Sequence, residues 1–181
     1  MTRIVRAAAA VLIILALVSA IFRVAFFLSK ILDFPAFLDL PIVLRVMGGI
    51  SMGVGGVLVI WLLKFRQPAK MAESTYYTFR KMVTGAPAGE LSGRVEPLII
   101  SGPQKYVRHP LYLGAILGFS GWSLLTGTTS DFIATLFIIL WFLLVQIPFE
   151  EKEMRALFGE QYVRYMHDTP MLGPFTKRGS R

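Results

Sequence analysis

Three observations predict an all-α integral membrane protein with about four transmembrane helices, interfacial helices and a C-terminal amphipathic helix. They are an apolar composition, four long uncharged runs, and the placing of the basic residues around those runs. Of 181 residues, 55% are hydrophobic and 17% charged, against about 45–50% apolar and about 25% charged in soluble domains. One domain of this length has too little interior to hide that much apolar side chain, so the remainder faces lipid. The mean hydropathy of +0.61 agrees. Cysteine is absent, which excludes disulfides, thiolate metal sites, cysteine nucleophiles and palmitoylation together. A net charge of +8 suits nucleic acid at first sight. Positive charge flanking apolar spans is instead the mark of topology and of contact with anionic lipid. Membrane lipids, and not nucleic acid, are the expected partners, and no metal site is expected.

The uncharged runs cover residues 7–22, 46–63, 110–130 and 132–149, near the roughly 20 residues that a helix needs to cross the hydrocarbon. The first is interrupted at Arg23 and resumes through residues 24–28; Arg23 is expected to snorkel or to face a partner helix. Arg3 and Arg6, the apolar stretch after them and the small pair Ser19-Ala20 also fit a cleaved signal peptide. Apolar sequence resumes straight after that point, which favours a retained span. Runs three and four meet at Asp131 within Thr126-Gly127-Thr128-Thr129-Ser130-Asp131, a turn-forming composition that predicts a tight helical hairpin.

Basic residues orient the chain. Two precede the first run, eight lie between the second and third, and six follow the fourth. With four spans, sixteen of the nineteen lysines and arginines therefore share one side, the exceptions being Arg23, Lys30 and Arg45. The positive-inside rule then predicts a multi-pass protein of the cell membrane with both termini in the cytoplasm.

Between and after the spans, two segments read as helices. Residues 73–83 mix Tyr76, Tyr77, Phe79 and Met82 with Arg80 and Lys81, which suits a helix lying at the interface. After Pro148, Met154, Leu157, Phe158, Tyr162, Tyr165 and Met166 recur at steps of three and four. They form one amphipathic stripe with Glu151, Glu153, Arg155, Glu160 and Arg164 around it, Glu153 on the solvated side. Residues 87–103 are rich in glycine and proline and read as an irregular loop or short hairpin. The glycine cluster of residues 48–56 sits inside an apolar run with no strand before it, so a nucleotide-loop reading lacks its context. Gly49 and Gly53 make a small-xxx-small face there for close helix packing.

Two clusters have the residue types that chemistry needs. Residues 101–114, SGPQKYVRHPLYLG, are polar and basic before they enter the third span. Pro110 suits a first helical turn, which puts Arg108 and His109 at a positive helix end that attracts an anion. Their plainer reading is as topology charges, with His109 and Tyr112 as interfacial anchors. Glu150-Glu151 follow Pro148, and acidic residues in a first turn complement the helix dipole by themselves. Adjacent carboxylates are also acceptors for ribose hydroxyls or an ammonium. What distinguishes the two clusters is that they fall at the same end of one hairpin.

GPQKYVRHPLYLG, then a span, then FEEKEMRALFGEQYVRYMHDTPMLGP resembles the isoprenylcysteine carboxyl methyltransferase family, whose wider relatives include phospholipid N-methyltransferases and delta-14 sterol reductases. Gly102, Pro103, Tyr106, Val107, Arg108, His109, Pro110, Tyr112 and Gly114 carry the first half of the pattern. Glu150, Glu151, Phe158, Gly159, Tyr162 and Tyr165 carry the second. The resemblance covers residues 101–174, and residues 1–100 match only as a pattern of spans.

That resemblance implies an S-adenosylmethionine-dependent methyltransferase acting at the cytoplasmic membrane face on a lipid-like or isoprenoid substrate, through a carboxylate or amine acceptor. Residues 1–100 would supply two spans and a cytoplasmic connection. Residues 101–181 would supply the cofactor-binding hairpin and the amphipathic helix. By position, Leu98, Ile99, Gln104, Arg108, His109, Pro110, Leu111, Tyr112, Gly114, Glu150 and Glu151 would hold the cofactor. Gln146 would meet the substrate; it stands where eukaryotic carboxyl methyltransferases carry an arginine, and Gln104 stands where a tyrosine is frequent. No catalytic base is identifiable. Two rivals remain open: an NADPH-dependent reductase of isoprenoid double bonds, and a non-catalytic membrane protein keeping the scaffold.

Overall fold

The computed structural model describes residues 2–85 and 98–173, and among them it is helical, with one isolated bridge pairing Phe37 and Thr128 and no strand. The helices are α1 (Arg3–Ile31), α2 (Ile42–Leu63), α3 (Pro68–Thr84), α4 (Pro110–Thr126), α5 (Thr129–Trp141), α6 (Ile147–Phe158) and α7 (Glu160–Asp168). A 3₁₀ turn, Gly102–Lys105, precedes α4, and a π turn, Phe142–Gln146, joins α5 to α6. The expected loop over residues 87–103 lies largely outside the described residues.

Among the described residues three helical stretches are long and apolar enough to cross a membrane: Ile4–Ile31, Ile42–Leu63 and Thr129–Phe158. The third expected span, α4, has 17 residues and rises about 25 Å, at the short end of what crosses. Arg23 leaves α1 unbroken and is exposed on it. The helix stops two residues before Asp33, whose φ of 52° no helix accommodates.

Contacts divide the chain into two compact units, one of Met1–Ile13, Trp61–Pro110 and Gln146–Arg181, the other of Ile14–Ile60 and Leu111–Val145. In the second unit α2 and α4 approach backbone to backbone. A Cβ added at Gly55 would lie 2.6 Å from the Gly114 carbonyl oxygen, and one at Gly48 would lie 2.7 Å from that of Gly121. Seven residues are nearly two whole turns, so Gly48 and Gly55 share a face, and Ser51 between them donates to the Leu117 carbonyl at 3.0 Å. This corrects the expected pair. Gly49 has a single neighbour at 3.8 Å and Gly53 none within 4 Å, because both are rotated off the contacting face.

The α4–α5 hairpin forms as expected. Gly127 takes the left-handed φ of 68°, and the hydroxyls of Thr126 and Thr128 donate to Asp131 Oδ2 at 2.8 and 2.6 Å. Ser123 and Thr135 bond each other at 2.7 Å, so two apolar helices hide their polar atoms against one another.

In the first unit α3 begins on Pro68, where a missing N–H costs nothing. Arg6 of α1 meets Glu73 of α3 at 3.3 Å and stands over the Tyr77 ring. Lys81 of α3 pairs with Glu153 of α6 at 2.5 Å, both almost fully buried. Glu153 is therefore not on a solvated side. The C-terminal amphipathic element is also two helices and not one, because Gly159 turns the chain at φ 50° and ψ −130°. Tyr162 and Tyr165 of the expected stripe are buried, and so is Glu151 beside it.

The π turn has a local cause. Pro148 has no N–H to return to the Leu144 carbonyl, and its ring crowds that carbonyl. The preceding turn widens to i→i+5 bonding. Gln146 is the last residue of the wide turn.

Candidate functional site

The first unit holds most of the predicted site residues, and two of them, Arg108 and His109, meet at Glu151. Pro110 starts α4, which brings Arg108 and His109 to the approach of that helix, and both lie opposite the first turns of α6. The Arg108 guanidinium donates to Glu151 Oε1 through Nε at 3.0 Å and Nη2 at 2.7 Å. Its Nη1 donates to the carbonyls of Met166 and Thr169 at 2.8 and 2.6 Å, satisfying orphan acceptors at the C-terminal end of α7. The backbone N–H groups of Arg108 and His109 donate to Pro170 and Met171. A short loop is thus stitched to α6 and to the chain after α7. The carboxylate that Arg108 meets is the chain's own.

His109 is buried, with Nε2 at 3.2 Å from Glu151 Oε1 and Nδ1 at 3.8 Å from Glu150 Oε2. Glu150 is the more open of the two carboxylates. Gln104, in the 3₁₀ turn, receives the Tyr165 hydroxyl on its backbone carbonyl at 2.6 Å, while its side-chain Oε1 is buried with no hydrogen-bond partner. Gly102 opens that turn at φ 58°, and a Cβ there would strike the Phe65 ring. Burial pushes the Tyr165 phenol up to about 12. Burial, reinforced by the charges of Glu151 and Glu150, pushes Tyr162 up as well. Both stay protonated donors throughout the physiological range.

Gln146 shares this unit, and its Oε1 is likewise sealed without a partner. Leu98 and Ile99 are half-buried in it. Leu111, Tyr112 and Gly114 follow in α4 within the second unit. There Tyr112 packs its ring 4.9 Å from that of Phe142, and Gly114 is taken up by the crossing with α2, where a Cβ would meet Val59 at 2.7 Å.

A family model described as phospholipid methyltransferase matches residues 43–161. The chain belongs to the phospholipid methyltransferase family. This family member is 40% identical over 76 residues to a methanethiol S-methyltransferase of Crocosphaera subtropica, a stretch covering 42% of the chain and 29% of that relative. It is 31% identical over 78 residues to protein-S-isoprenylcysteine O-methyltransferase B of Arabidopsis thaliana, covering 43% and 40%. Against a methanethiol S-methyltransferase of Mycobacterium tuberculosis it is 28% identical over 130 residues, covering 68% and 51%. The matches thus span about half the length of these relatives or less. No solved structure matches the chain.

Sequence reasoning missed two features of this family member's site. One is the buried Lys81–Glu153 pair, which ties α3 to the helix carrying Glu150 and Glu151. Three acidic residues within four positions were a signal, since one helix face cannot expose them all. The other is the π turn ahead of Pro148, for which the proline itself was the signal.

Proposed function

We propose that the chain is a membrane methyltransferase that uses S-adenosylmethionine at the cytoplasmic face and methylates an apolar, lipid-like or isoprenoid acceptor. The observation that carries this reading is the buried His109 beside Glu150, 3.8 Å apart, in the unit that also holds the partnerless Oε1 of Gln104. Such a set suits a ligand with a carboxylate at one end and ribose hydroxyls and an amine as donors elsewhere. When bound, the cofactor supplies an electrophilic methyl: the bond from the acceptor forms as carbon–sulfur breaks, the electron pair stays on sulfur, and a protic acceptor loses its proton to water.

The chain's own groups divide the work. Arg108 and Glu151 satisfy each other and hold the loop on α6, so they act as positioning residues. His109, oriented by Glu151, and Glu150 would meet the ligand's polar groups, with Gln104, Leu98, Ile99 and Pro110 of the same unit lining it. Low water content strengthens each of these polar contacts. In the second unit an apolar hollow of about 430 Å³, lined by Phe22, Met52, Ala115, Gly118, Phe119 and Trp122, suits a hydrocarbon chain. The relatives named for methanethiol and for isoprenylcysteine widen the acceptor group to sulfur as well as carboxylate or amine.

Calorimetry on detergent-purified protein tests the cofactor: saturable binding of S-adenosylmethionine and none of NADPH is expected, and the reverse would transfer the chain to the reductase reading. The same chain, lacking native cysteine, tests the topology. Cysteines placed at Lys70 and Thr128 are expected to label from opposite faces of the membrane, and labelling from one face would refute the orientation.

A further inference from the structure

Gln146 is 5% exposed, and its side-chain carbonyl oxygen has no hydrogen-bond partner. A buried acceptor left unpaired costs about 1–3 kcal/mol, and such groups in folded proteins call for an explanation. Two further observations say where this one stands. Gln146 closes the π turn and has helical φ and ψ of −67° and −52°, and π turns concentrate at functional sites. Glu150 lies four residues on, so the two side chains share a helix face about 6 Å apart along the axis. Glu150 faces His109. Gln146 therefore stands one turn from the polar cluster, on its apolar side, where the run before Glu150 carries no charge back to Phe132.

Resting on the methyltransferase reading and deepening it, we propose that Gln146 selects the methyl acceptor, and that the group it selects is uncharged and carries its own hydrogen-bond donor. An acceptor oxygen buried without a partner is completed by an S–H, O–H or N–H. A carboxylate brings only more acceptors. Even with the amide turned about, Gln146 offers an anion one neutral hydrogen bond, too little to draw a full charge out of water. A neutral thiol sheds little hydration and is held by its S–H donated to Gln146. As sulfur takes the methyl group and the cofactor's carbon–sulfur bond breaks with its electron pair, that proton passes to water, the amide serving only to hold and orient the thiol. Selection follows from the missing charge as much as from the hydrogen bond.

The test compares decanethiol with decanoate as methyl acceptors, using radiolabelled S-adenosylmethionine and detergent-purified wild type, Gln146→Leu and Gln146→Arg. The expected wild type prefers the thiol by at least tenfold in kcat/KM. Gln146→Leu is expected to raise KM for the thiol about tenfold, the worth of one hydrogen bond. Its cofactor affinity should be unchanged and its Tm equal or higher, since an orphaned polar group has been removed. Gln146→Arg is expected to move the preference toward decanoate by tenfold or more. A glutamine that served structure alone would lower Tm in Gln146→Leu and leave the acceptor ratio of all three proteins alike, which overturns the proposal. Wild type that binds S-adenosylmethionine and prefers decanoate overturns it while leaving the methyltransferase reading intact. Wild type that binds no S-adenosylmethionine overturns both.

Discussion

Gly55→Leu is expected to lower the stability of the detergent-purified protein by at least about 3 kcal/mol, or roughly 6–12 °C in Tm, the upper range for forcing extra atoms into a packed interior. The reason is backbone and not side chain. The first added carbon already meets the Gly114 carbonyl oxygen at 2.6 Å and the Gly118 nitrogen at 3.1 Å, and neither can rotate away. Helices α2 and α4 must separate, losing the Ser51 hydrogen bond with the contact area. Where lipid is as apolar as leucine, close backbone approach is what holds helices together. Gly53→Leu is the control. Its new side chain enters open space, so its stability should stay within about 0.5 kcal/mol of wild type. Thermal melts of the two variants check the assignment, and a Gly53 variant that melts earlier than the Gly55 variant would contradict it.

Arg108→Ala is expected to cost about 3–5 kcal/mol, the range for breaking a buried charge pair from one side. The arginine side chain is 10% exposed, as is that of Glu151, so solvent screens little of the loss. Removing the guanidinium strands Glu151 and the carbonyls of Met166 and Thr169 together. Glu151→Ala is expected to be similarly destabilising for the opposite reason, and the double variant should lose clearly less than the sum, because each single change already breaks the shared contact. Arg108→Lys should rescue little, since an ammonium cannot fork between a carboxylate and two carbonyls. A double variant whose loss equals the sum would mean that the two residues act independently.

Much of this architecture was legible in the residues. Uncharged runs gave the helices because a span must satisfy its backbone within itself. The α4–α5 turn followed from Gly127 and its neighbouring threonines. What failed was the choice among features of similar local appearance. Gly48, Gly49, Gly53 and Gly55 look alike in a string, and only the position of α4 decides which pair faces it. Glu153 reads as a solvated carboxylate until Lys81 arrives from 72 residues away. The single amphipathic helix predicted after Pro148 breaks at Gly159, where a glycine continued the apolar periodicity on both sides and so hid the bend. For the site, the two clusters were visible as sequence. That Arg108 turns to Glu151 and to the end of α7 depends on where the chain after α7 returns.

Equilibrium binding of tritiated S-adenosylmethionine to wild type, His109→Ala, Glu150→Ala and their double variant tests the central claim most directly. Each single change is expected to weaken binding by about 1.5–3 kcal/mol, roughly 10- to 150-fold, as for hydrogen bonds to charged groups. The double variant should lose less than the sum, and Lys152→Ala, exposed on the same helix, should bind as wild type does. Unaltered binding in His109→Ala and Glu150→Ala, with both proteins folded, would contradict the account and place the cofactor elsewhere.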